Sequence, residues 1–159
     1  YTRLVVAASD VYKRQGKMSW FNYIGLIVIS VIMIPNIIYA IKNKGGFPNS
    51  CGNKAAELFE QIGYGCIAFT VFNIPFTCFG FWFDKAMLVY AIVNSVLCAI
   101  YLACWAIFRK NTVEKAILLS AIPSCVFLFG GFMLWNIPLI VFAIVFAPCH
   151  ILVSCKNIC

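Results

Sequence analysis

Five side chains have the types and the spacing to do chemistry together: Asn36, Glu60, Gln61, Tyr64 and His150. His150 is the single histidine of the chain, and histidine is the side chain that changes charge near neutral pH. Glu60 and Gln61 stand at the edge of an apolar run, and Tyr64 follows Glu60 by one helical turn. A carboxylate, an imidazole and a phenol at one level could bind a proton or a small polar ligand. They could equally form a structural network that fixes helix register. No Gly-rich phosphate loop, His-Glu-x-x-His or Gly-x-Ser-x-Gly occurs. The expectation is therefore no enzyme and no cofactor.

The nine cysteines are the other reactive groups. No two have Cys-x-x-Cys spacing, and most lie within apolar runs. Zinc sites need clustered ligands, and Cys149-His150 with Cys155 is the only candidate set. The plainer reading is small, soft apolar side chains, with no metal. Disulfides are not expected at cytoplasmic or intramembrane positions.

The elements that position these groups follow from composition. Of 159 residues, 64% are hydrophobic and 11% charged, where a soluble domain carries roughly 25% charged residues. Mean hydropathy is +0.95. Twelve basic and five acidic residues cannot cover a soluble core of this size. A soluble enzyme, a nucleic-acid-binding domain and a disordered chain are excluded. A polytopic membrane protein remains, with the lipid bilayer as its principal partner.

Formal charges are missing from Met18 to Ile41, Gln61 to Phe83, Ala86 to Phe108 and Ala116 to Cys155. A spanning helix needs ~20 apolar residues. The first three gaps hold one crossing each and the last holds two, divided near Gly130-Gly131 and Trp135-Asn136-Ile137-Pro138. The fold class is thus all-α, a transmembrane bundle of five helices over about 20–41, 62–83, 86–108, 116–134 and 137–155. The alternative is four, with the last stretch as one long helix. A β-barrel needs alternating segments, and the apolar runs here are continuous.

Lys42, Lys44, Lys54, Arg109, Lys110, Lys115 and Lys156 fall on one side of such a bundle, and Lys17 and Lys85 on the other. The positive-inside rule places the first side in the cytoplasm, the N-terminus outside and the C-terminus inside. On that topology Asn36 and His150 each lie about five residues before the cytoplasmic end of a helix. The second helix is expected to begin before the membrane, with Lys54, Glu57, Glu60-Gln61 and Tyr64 on one polar face, so Glu60, Gln61 and Tyr64 enter it from the same side. The expectation is a cytoplasmic-side cluster in which Glu60 or Tyr64 bonds His150 or Asn36.

The segment Tyr1 to Gln15, YTRLVVAASDVYKRQ, resembles the translated sequencing-adapter tail at the ends of reading frames assembled from metagenomic DNA. The resemblance implies a non-native tail (1–15) before a single transmembrane domain (16–159). The rest, rich in Ile, Phe, Asn and Lys, resembles small multi-pass membrane proteins of anaerobic bacteria. That implies a bacterial plasma membrane and no particular activity.

Two further patterns bear on function. Pro35, Pro75, Pro123, Pro138 and Pro148 interrupt the apolar runs, three of them beside or near Asn. Such sites are unwound backbone lining a transport path, or ordinary kinks with satisfied carbonyls. Ala91, Ser95, Ala99 and Ala103 recur every four residues. This small-residue stripe predicts a face buried against another helix, in the same chain, in a homo-oligomer or in a partner membrane protein. Two function classes stay open: a small transporter or permease-like subunit, and a non-catalytic structural or accessory subunit.

Overall fold

Apolar runs that polar surface cannot cover must meet lipid or one another. Helices allow both while keeping every backbone group bonded. In the structure, a computed structural model, residues 21–42, 54–72, 85–108 and 110–158 are described. They form α1 (Tyr23–Lys42), α2 (Lys54–Gly63), α3 (Gly65–Val71), α4 (Ala86–Ile107), α5 (Val113–Met133) and α6 (Ile137–Lys156). Among the described residues there is no strand, only an isolated bridge between Phe21 and Phe72. Four helices, α1, α4, α5 and α6, are long and apolar enough to cross a membrane.

Local signals set the ends. Thr112 caps α5 by accepting from the Lys115 amide. Asn136 caps α6 by accepting from the Leu139 amide, with Pro138 in the first turn. Between α5 and α6 the chain reverses through Trp135, at φ 52°. The Asn136 amide donates back to the Gly131 carbonyl, closing a left-handed cap of the kind glycine usually makes. The last charge-free stretch is therefore two helices.

α5 is the central helix. Half of its apolar window is buried, against 22% for α1 and α6 and 28% for α4. One core, Val28, Ile32, Cys98, Tyr101, Ile122 and Val126, joins it to α1 and α4. Another, around Ile29, Cys66, Phe127, Leu139 and Phe146, joins it to α1, α3 and α6. The outward faces carry Ile27, Ile34 and Ile37 of α1 and Leu88, Ile92 and Val96 of α4. Contiguous apolar exposure of this extent fits contact with a lipid bilayer.

The directions of the helices follow from their contacts. α6 packs antiparallel to α5, with Gly131 against Ile140 and Phe127 against Phe146. α5 packs antiparallel to α4, with Phe129 stacked on Tyr90 and Lys115 over Trp105. α1 and α4 run the same way: Asn22 meets Tyr90, Asn36 meets Tyr101 and Tyr39 meets Trp105. α2 and α3 together run antiparallel to α6. Ala56 clusters with Val153, Glu60 meets His150, and Phe69 meets Phe142.

One expectation about the helices changes. The second helix begins at Lys54, as the polar-face spacing predicts, but it does not run on to 83: it tightens at Tyr64 and stops at Val71, where Phe72 is extended. Residues 73–84, including Asn73 and Pro75, lie outside the described residues. Counting from the last charge failed because Glu60 is held within the bundle by a partner. Pro35, Pro123 and Pro148 sit inside continuous helices. Within this chain the small-residue stripe faces outward: Ser95, Ala99 and Ala103 are exposed, and Tyr90, Asn94, Cys98 and Tyr101 form the buried face. The larger side chains one position round bury more apolar area against α1 and α5.

Candidate functional site

The contact between α2 and α6 holds the ionisable groups. Glu60 is on the last turn of α2 and His150 near the end of α6. His150 Nδ1 and Glu60 Oε1 are 2.6 Å apart, with side chains 20% and 13% exposed. Either ring tautomer or the imidazolium satisfies this contact only if one proton lies between the two atoms. The Tyr64 hydroxyl donates to the same Glu60 oxygen at 3.4 Å. The His150 ring stacks on Phe146, one turn earlier, with centroids 4.5 Å apart. Phe146 also meets the Tyr64 ring at 5.8 Å.

Gly63 makes this approach possible. A Cβ there would overlap the Cβ and ring of Phe146. Beside it the backbone tightens: the Tyr64 amide is shared between the Glu60 and Gln61 carbonyls, each at 3.2 Å. A shared bond of this kind marks a 3₁₀-like turn within a helical run, a common hinge position. Glu60 therefore lies immediately before the joint between α2 and α3, on the face that meets α6.

Of the five residues singled out from sequence, Glu60, Tyr64 and His150 come together. Asn36 does not join them. Its side-chain oxygen accepts from the Tyr101 hydroxyl at 3.0 Å, tying α1 to α4. Its amide donates to the Ile32 carbonyl of its own helix. Equal depth put Asn36 at the right level, but α1 faces α4 there and not α2. Gln61 points away, exposed, one residue round from Glu60. Among the described residues no group of three His, Cys, Asp or Glu side chains could hold a metal ion. Cys66, Cys98 and Cys104 are buried free thiols, and Cys149 and Cys155 are half-buried.

The opposite end of α3 carries an arrangement that sequence reading missed. A helix leaves its last carbonyls without internal partners. Here the Phe69 carbonyl accepts from Asn136 Nδ2 at 3.0 Å. The Thr70 carbonyl accepts from Asn22 Nδ2 at 3.1 Å, and the Val71 carbonyl from the Asn22 backbone at 2.8 Å. Each asparagine also caps its own helix, Asn22 through the Gly25 amide and Asn136 through the Leu139 amide. Both are buried. Two side chains thus serve one carboxyl end and two amino ends, with opposed helix dipoles facing one another. The available signal was an aromatic-Asn pair opening each apolar run, Phe21-Asn22 and Trp135-Asn136.

No protein-family model, no curated protein and no solved structure matches the chain.

Proposed function

We propose that the protein is a five-crossing, permease-like subunit of a bacterial plasma membrane. In this reading the Glu60–His150 pair is a proton-handling site on its cytoplasmic side. The carrying observation is the 2.6 Å contact between those two side chains, beside the joint at Tyr64. Ionisable groups in a membrane are costly unless paired, and pairs of this kind mark proton and ion paths. Support for a fifth crossing comes from direction. α1 and α4 run the same way side by side, so the chain between them must return, and Lys54–Val71 runs the opposite way against α6. That stretch rises about 27 Å at 1.5 Å per residue, near the thickness of a bilayer core. The seven-to-two basic asymmetry sets the N-terminus outside.

Two measurements test this. In a cysteine-free background, Lys85→Cys should react with an impermeant thiol reagent only from outside the cell. Reaction from the cytoplasmic side overturns the orientation. In liposomes loaded with a pH-sensitive dye, the wild-type protein should speed the decay of an imposed pH gradient. His150→Gln and Glu60→Gln should each abolish that increment while the protein stays folded.

The second reading is a structural or accessory subunit, favoured by Asn22 and Asn136, whose side chains bond helix to helix through both their nitrogen and their oxygen. It stands if wild-type liposomes lose the gradient no faster than empty ones.

A further inference from the structure

Where α1, α4 and α5 meet, at the end of the bundle assigned to the cytoplasm, a lysine is buried without a counter-charge. Lys115 is 6% exposed. Its ammonium lies 4.6 Å from the centre of the Trp105 ring and 3.4 Å from the side-chain oxygen of Asn111. Asn111 in turn donates to the Tyr39 hydroxyl at 3.3 Å. Among the described residues no carboxylate pairs with Lys115, and Glu114 on the same turn is exposed. An ammonium has three hydrogens to donate, and one neutral acceptor with one ring leaves most of that capacity unused. A buried charge held only by neutral groups is costly, so the arrangement asks for an anion.

We propose that this end of the bundle binds the phosphate of an anionic phospholipid headgroup, with Lys115 as its central cation. Three observations select a lipid. Exposed apolar side chains stand at the same end of these helices: Ile41, Ile107 and Val113 are 74%, 72% and 40% exposed. Acyl chains attached to a bound phosphate would run along them. Tyr39 and Trp105 provide the amphipathic rings that sit at headgroup depth. Lys42 and Lys110, both exposed at the same end, add positive field where anionic lipid concentrates. The amino end of α5 contributes its dipole in the same direction. The site is separate from the Glu60–His150 pair, which lies between α2 and α6.

The test uses the full chain purified in an uncharged detergent with equal amounts of phosphatidylglycerol and phosphatidylcholine, read by native mass spectrometry. Wild type should retain phosphatidylglycerol preferentially. Lys115→Met should reduce that preference about fivefold, the worth of one basic side chain at an anionic surface. Lys85→Met, at the opposite end, should leave it unchanged. No preference in wild type, or equal loss in both variants, overturns the proposal. Displacement of the lipid by inorganic phosphate at the same concentration overturns the lipid assignment in favour of a free anion. If Lys115→Met does not fold, wild type alone decides. Phosphatidylglycerol with a photo-crosslinker on its headgroup should label the 105–115 peptide, and labelling confined to other peptides overturns the site.

Discussion

Asn136→Ala should cost about 3 kcal/mol of unfolding free energy in detergent micelles. One part is the lost helix cap, typically about 1 kcal/mol. The larger part is the half-buried Phe69 carbonyl, left without its partner, about 1–3 kcal/mol. Asn136 is 1% exposed, so solvent does not soften the loss of the cap. Interhelical hydrogen bonds in membrane proteins average nearer 0.6 kcal/mol, because the unfolded chain finds other partners. The expected excess here comes from one side chain serving two helix ends. Asn136→Ser separates the terms. A serine hydroxyl keeps the cap but is too short to reach Phe69, so it should recover only the cap's share. The check is unfolding by a denaturing detergent, and a value for Asn136→Ala within about 0.5 kcal/mol of wild type, the range of ordinary surface changes, would sink the double role.

Gly63→Ala should destabilise where helix propensity alone says the reverse. In an exposed helix interior the change adds about 1 kcal/mol. At Gly63 the new methyl meets the Cβ and ring of Phe146, all on packed helices. Overpacking of that kind costs about 1–3 kcal/mol, and the net sign reverses. Phe146 is also the platform on which the His150 ring lies, so the added methyl should move the imidazole from Glu60. Phe146→Ala removes the ring overlap and leaves only the Cβ, so the double variant should lose less than the two single losses added together. A Gly63→Ala protein more stable than wild type would mean that α2 and α6 do not approach this closely.

Charge gaps read the apolar helices well because lipid tolerates no unpaired charge at its centre. α1, α4, α5 and α6 each end within about three residues of where those gaps place them, a shift that fraying and assignment alone nearly cover. The polar-face spacing from Lys54 to Tyr64 supplies the beginning of the second helix, which the same rule alone starts too late. That rule treats Glu60 as a boundary, and Glu60 has His150. Pairing of that kind is tertiary, between residues 90 apart, and no local pattern carries it. What sequence did carry was depth. The positions of Glu60, Tyr64 and His150 relative to helix ends put them at one level, and the structure has them in contact. Depth says nothing about azimuth, however, so Asn36 was grouped with them although its side of α1 faces Tyr101. The stripe of Ala and Ser on α4 shows the same limit: periodicity marks a face without saying whether this chain or another covers it.

The parallel pairing of α1 with α4 bears on how the chain is made. Asn22 and Asn36 find their side-chain partners Tyr90 and Tyr101 only 68 and 65 residues later in the chain. At a synthesis rate of roughly 5–20 residues per second, α1 is therefore inserted several seconds before its neighbour exists. Through that interval its two asparagines have no tyrosine to bond, and its inner face meets lipid or the insertion machinery. The first helix is a waiting helix. A ribosome that stalls between Lys42 and Ala86 leaves a single apolar span whose asparagines lack their interhelical partners, the kind of intermediate that membrane quality-control proteases can recognise.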